Sequence, residues 1–316
     1  MFNKKILLKT ALILTLILIA AVPASAVEVN IQAPNVPAAL PFLWMQENAE
    51  LPDEIDLNLK LSSDHQRGIS LLAKNDIDFL ITGTNVGANA YNRGVPIKLI
   101  NVNTWAIDYL LTNNFKAENW QQLKGRSLAL PLKGGPLDFL TRYLAEKNSL
   151  NPDEDLDLVY RSLPGSAQLF IKGDLDAIVL PEPLTTVSLN KSKNAVISMD
   201  IQKEWEKIHG DPRIPFVALF ANSNFSQNNP QVTDTLSSYY NQGVKWVNNQ
   251  PQQAAELASS HFEMPAPLLK KSFSRINLNI YPEKESRKLT ELYFNEILKI
   301  YPDLLGGSLP DEEFYY

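Results

Sequence analysis

Apolar and polar residues alternate with period two over Val27–Gln32 and again over Ile55–Leu61 (IDLNLKL), which predicts two strands. Between them Pro37–Glu47 reads as a helix. Asp64 can cap a further helix over His65–Lys74. Short apolar strands follow at Ile77–Thr82 and Ile97–Val102, separated by a helical Asn85–Asn92. This strand–helix rhythm predicts a mostly parallel sheet flanked by helices. A strand over Ala106–Thr112 is then followed by a polar stretch instead of a helix, and a second set begins. Its expected strands are Ser127–Pro131, Leu156–Tyr160, Ala177–Leu180 and Ala195–Ser198. Its expected helices are Leu137–Lys147, Ser166–Lys172, Pro183–Asn190 and Ile201–His209. Phe216–Ala221 is one more strand. Beyond it the pattern is helical over Pro230–Asn248, Pro251–Ser260, Ala266–Phe273 and Glu283–Ile300.

A helical tail after two α/β sets suggests that the chain returns to cover the first. The expectation is a two-lobed α/β protein: residues 27–110 plus 217–316 in one lobe, 111–216 in the other. The lobes are joined by crossing strands near Ile107–Thr112 and Phe216–Ala221. Ligand sites favour clefts between such lobes.

The first 26 residues stand apart. Lys4, Lys5 and Lys9 precede an apolar run, Thr10–Val22, and Ala24-Ser25-Ala26 offers small residues for cleavage. This is the pattern of an export signal, with an uncleaved anchor as the alternative. Its removal takes three lysines and no acid, lowering the net charge from −6 to −9. So acidic a chain, without a basic stripe, is not expected to bind nucleic acid. With no cysteine it carries neither disulfides nor a lipid anchor, and a periplasmic location is expected.

The second set also carries a glycine turn, Lys133-Gly134-Gly135-Pro136, between a strand and a helix. A helix N-terminus offers unpaired N–H groups to a polar ligand. The surrounding segments are LKG at 123–125, LAEK at 144–147, NPDEDLDLVY at 151–160 and KGDLDAIVLPEP at 172–183, with ISLLAKNDIDFLITGT upstream at 69–84. Together they resemble the periplasmic solute-binding proteins of nitrate, sulfonate or taurine, and thiamine-precursor ABC importers. The resemblance is strongest over Leu123–Pro183 and weak beyond Pro230. It implies the type II periplasmic-binding-protein fold and the extracytoplasmic binding component of an importer, a monomer that closes about a hinge. Its partners would be a small-molecule ligand and a membrane permease with its ATPase; no cofactor, metal or catalysis is implied. The fold also hosts enzymes, such as dehydratases of menaquinone synthesis, and a stand-alone sensory module remains a further alternative.

In open α/β sheets, ligands lie beyond the carboxyl ends of the strands. Four loops there supply the candidate ligand-binding residues. Asn35 follows the first strand in a proline-stiffened turn. Thr84 and Asn85 open a helix, where Asn85 could instead be a plain N-cap. Trp105 could present a flat face to a ligand or pack in the core, and Asp108 lies just beyond it. Gly134 and Gly135 offer backbone N–H groups. Glu182, held between Pro181 and Pro183, could bind a ligand or stabilise the hinge. Sulfonate binders of the resembled group often place a hydroxyl residue after the KG of the turn, where this chain has Gly135 and Pro136. A neutral or cationic nitrogenous ligand is therefore at least as plausible as a sulfonate. His65, His209 and His261 lie far apart in sequence and form no metal motif.

Overall fold

A computed structural model describes residues 26–131 and 133–316. The expected export signal lies outside them except for its last residue. The described residues form ten strands: β1 (Val27–Ala33), β2 (Ile55–Leu61), β3 (Phe79–Gly83), β4 (Ile97–Thr104), β5 (Asp108–Asn113), β6 (Ser127–Leu130), β7 (Asp157–Tyr160), β8 (Ala177–Pro181), β9 (Ala195–Asp200) and β10 (Val217–Asn222). They make two five-stranded sheets, ordered β2-β1-β3-β10-β4 and β7-β6-β8-β5-β9. The two-lobed α/β class expected from the pattern holds.

Each sheet contains one strand that runs against the rest. β10 lies antiparallel between β3 and β4, and β5 antiparallel between β8 and β9. These are the two crossing strands. Each enters its sheet from the side where the parallel strands end, so it must run in the opposite sense. Both are buried along nearly their whole length, because a strand covered on both faces carries no polar alternation. The outer strand β2 shows the opposite behaviour, with mostly alternating burial.

The helical tail does return to the first sheet. Helix Pro230–Asn249 packs on helix Leu40–Asn48, with Tyr240 tilted against Phe42 at 5.0 Å between ring centroids and its hydroxyl donating to Ala38 O. Gly243 permits the approach, since a Cβ there would lie 2.7 Å from Pro41 Cα. Helix Glu283–Ile300 reaches further. Its Tyr293 meets Phe139 and Trp205, both from helices of the second sheet, edge-on at 5.9 Å. One apolar cluster therefore runs through both halves, and each large side chain in it contributes roughly 1.5–3 kcal/mol by burial.

Candidate functional site

The carboxyl ends of the two sheets meet where the chain crosses. Thr84 N donates to Phe216 O, Phe216 N to Thr104 O, and Glu182 N to Ile107 O, while Asp108 sits opposite Pro181. The ends of β3, β4 and β8 are thus stitched to the crossing segments. A third segment lies over this junction. Asn277 N donates to Ala106 O and Asn279 N to Asn103 O, and Trp105 N donates to Asn277 O. Residues Asn277–Asn279 form a strap across the hinge.

The strap decides the role of Trp105. Its indole is fully buried (0% exposed), donates from Nε1 to Asn279 O at 2.9 Å, and meets Tyr281 edge-on at 5.3 Å. It presents no face to a cleft, and the expectation of a ligand-stacking surface is corrected to that of a hinge wedge.

Glu182 is similarly committed. Its Oε2 accepts from Thr186 N, and its Oε1 accepts from Thr186 Oγ1 and from Arg275 Nη1, all at 3.0 Å. Arg275 also donates to Thr186 Oγ1, and its carbonyl accepts from Tyr109 Oη at 2.7 Å. Burial raises the Glu182 carboxyl above its usual value, against the opposing pull of Thr186 and Arg275. The hinge-stabilising role is the one the contacts support: Arg275, beside the strap, latches onto the second sheet. Arg275→Ala removes the one basic partner of this buried acid, and a loss of about 1–3 kcal/mol is expected. Ionised Glu182 suffers more than protonated Glu182, so urea unfolding should show a larger loss at pH 8 than at pH 4.5. An equal loss at both would refute the latch.

The glycine turn has an occupant of its own. Gly134 adopts φ +73, as a left-handed turn residue, and its N–H donates to Asp138 Oδ2 at 2.7 Å. Asp138 is fully buried in the first turn of helix Pro136–Lys147. Its Oδ1 accepts from Arg142 Nε and Tyr160 Oη, while Arg142 also donates to Asp153 and to Tyr160 Oη. Burial works against the Arg142 charge, but hydrogen bonds to Asp153, Tyr160 and Asp138 more than offset it and hold its pKa above the usual range. The anion facing this turn is the protein's own carboxylate. The expectation that Gly134 offers a free N–H to a ligand is corrected accordingly. Gly135 sits at the N-cap position, buried, its carbonyl accepting from Phe139 N.

Four candidates remain at strand ends or on a crossing strand. Asn35 is exposed in the loop after β1. Thr84 and Asn85 are buried at the start of helix Thr84–Asn92, whose N-cap position is held by Gly83 and not by Asn85. Thr84 Oγ1 has no hydrogen-bond partner among the described residues. Asp108, 2% exposed, also has an unpartnered oxygen, Oδ2. Burial pushes its carboxyl up to about 8.

Three polar groups near these loops were missed by the sequence reading. Gln32, near the end of β1, is buried and donates from Nε2 to Asp64 O, leaving Oε1 without a partner. His65 Nδ1 lies 2.9 Å from Thr82 Oγ1, and burial lowers its pKa while Asp64 opposes the shift. For Gln32 the sequence offers no distinct signal, since in VEVNIQ it occupies an ordinary polar position of the period-two alternation. For Arg275 no local signal exists, because its partner is 93 residues away.

A family model, the NMT1-like family, matches residues 97–261, from β4 through helix Pro251–His261, and so takes in both crossing strands and the whole second sheet. The putative binding protein YtlA of Bacillus subtilis (strain 168) is 19% identical over 201 residues, 62% of this chain and 58% of that protein. The match thus spans less than two thirds of that relative. An ABC transporter structure from Parabacteroides distasonis is similar at TM-score 0.78 and 21% identity, covering 92% of this chain and 99% of that one. The periplasmic aliphatic sulphonate binding protein SsuA of Escherichia coli gives 0.73 at 15% identity, covering 92% of each chain. The periplasmic nitrate-binding protein NrtA of Synechocystis PCC 6803 gives 0.67 at 12%, covering 89% and 84%. At these identities the likeness to solved structures is one of fold.

Proposed function

The chain belongs to the NMT1-like family, and from that premise we propose that it is the extracytoplasmic solute-binding component of an ABC importer. Residues 27–107 with 217–316 form one lobe and residues 108–216 the other. The boundary expected at 110 moves to the start of β5 because that strand lies wholly in the second sheet. A small polar solute is captured where the strand ends of the two lobes face each other. The observation that carries this reading is the pair of antiparallel crossing strands with a strap over them, a geometry suited to hinge closure about a ligand. The sulphonate-binding and nitrate-binding proteins among the fold neighbours support a role in binding. Ligand makes contacts to both lobes only in the closed form, so it shifts the population toward that form, and the permease reads the difference. The protein acts as a monomer, reaches the periplasm through its leader, and makes or breaks no bond.

The test is a thermal-shift screen with ethanesulfonate, nitrate, 4-aminopyrimidine and benzylamine, extended to other small solutes of each class. A binder raises the melting temperature in a concentration-dependent way, is taken up stoichiometrically, and is recovered unchanged. Turnover of the bound compound, or no stabilisation by any solute, would sink the reading.

A further inference from the structure

We propose that Asp108 is the anchor for the captured solute and that it selects a cationic nitrogen group, such as an ammonium or a protonated ring nitrogen, over an anion. The proposal rests on the solute-binding reading and names the ligand's chemistry.

Five carboxyl side chains are buried among the described residues: Asp108, Asp138, Glu182, Glu204 and Glu296. Four of them have a basic partner. Asp138 pairs with Arg142, Glu182 with Arg275, Glu204 with Lys207 and Glu296 with Lys299. Asp108 has none among the described residues, and its Oδ2 accepts no hydrogen bond. Two phenols feel the Asp108 charge, Tyr293 from helix Glu283–Ile300 and Tyr109 beside it, and burial holds both above their usual range and neutral. The charged groups around this part of β5 are spent elsewhere. Arg275 is bound to Glu182, and Asp200 Oδ1 accepts from Gln202 and Lys203. A buried acid without a partner is costly, and such groups concentrate at functional sites.

Its position is fixed as well as exceptional. Gln202 clamps the backbone on both sides: Oε1 accepts from Ile107 N and Asp108 N, and Nε2 donates to Asp108 O. Asp108 therefore stands at the head of a crossing strand, between the lobes, held before any ligand arrives. Two orphaned atoms at strand ends of the first sheet can also accept, while a third orphan further back on β4, Asn101 Nδ2, is a donor. Gln32 Oε1 is an acceptor, and the Thr84 hydroxyl can accept. The ionised carboxylate repels an anion, whereas a cationic nitrogen supplies both the donor that Asp108 Oδ2 lacks and the countercharge that favours its ionisation.

Without ligand, burial keeps Asp108 protonated at neutral pH. A bound ammonium favours the carboxylate, so the carboxyl proton leaves to solvent as the N–H···O bond forms, and about one proton is released per ligand bound. Titration calorimetry of the full chain with benzylamine at pH 7, in buffers of differing ionisation enthalpy, reads this release directly. Asp108→Asn should weaken benzylamine binding tenfold or more and abolish the proton release, with far-ultraviolet circular dichroism unchanged. Binding of ethanesulfonate or nitrate with no binding of benzylamine or 4-aminopyrimidine would overturn the cation preference while leaving the solute-binding reading intact. Benzylamine binding with the same affinity and the same proton release in Asp108→Asn would overturn the anchor. If no solute of any class binds, the reading beneath the proposal fails with it.

Discussion

Replacing Asp138 by alanine is expected to remove about 3–5 kcal/mol of unfolding free energy, the cost of stripping a buried cation of its partner. The carboxylate is fully buried and answers three donors at once: Gly134 N–H, Arg142 Nε and Tyr160 Oη. Without it Arg142 keeps Asp153, whose side chain is largely solvent-exposed and so worth less. Gly134 loses the acceptor that fixes its left-handed turn. Asp138→Asn keeps the shape and one acceptor oxygen but turns an amide donor toward Arg142, so an intermediate loss is expected. Urea unfolding measures the energy, and hydrogen exchange of the Gly134 amide measures the turn. A loss below about 1 kcal/mol with the Gly134 amide still protected would show that the turn does not depend on its internal anion.

The opposite sign is expected at Asp108. Its carboxyl is pushed up to about 8 in the folded chain by burial, from an ordinary 3.8. Between those values the unfolded chain has lost the proton and the folded chain keeps it. Stability therefore falls as pH rises from about 4 to about 8, then levels off. A shift of this size corresponds to a penalty of about 6 kcal/mol at most. Asp108→Asn cannot ionise, so its advantage over the parent should be small near pH 4, grow through neutrality and stay level above pH 8. Unfolding free energies across pH 4–9 give the comparison. Parallel curves for parent and variant would show that Asp108 is not the group responsible. A gain in stability with a loss of ligand affinity is the expected trade for a residue kept for binding.

How much of this is legible without coordinates varies residue by residue. The strict alternation of IDLNLKL marks β2, and helices Ile201–His209, Ala266–Phe273 and Glu283–Ile300 begin and end where the pattern places them. Caps and helix starters explain that success: Asp200 accepts from Gln202 N and Lys203 N, and prolines stand immediately before the other two. The short helix Ser223–Asn228 was not expected, because its polar sequence carries no apolar stripe; it exists because Asn222 caps it against the end of β10. Thr84 and Asp108 were picked out as strand-end residues, and among the described residues each keeps a buried oxygen without a partner. Trp105, Gly134 and Glu182 were picked out by the same rule, and each proved to be satisfied by the protein itself.

That division has one physical cause. Periodicity and capping are set by residues within a few positions of one another, and these local patterns determined the strands, the helices and the two-lobed order of the chain. Which strand lies beside which, and in what direction, depends on where a segment enters a sheet, so only the tertiary structure placed β5 and β10 inside their sheets. Whether a polar group is free depends on partners that arrive from far along the chain, as Arg275 arrives at Glu182 and Asn279 at Trp105. The sequence named the polar groups at the strand ends. Folding decided which were already spent, and among the described residues Asp108 is the buried acid it left without a counter-charge.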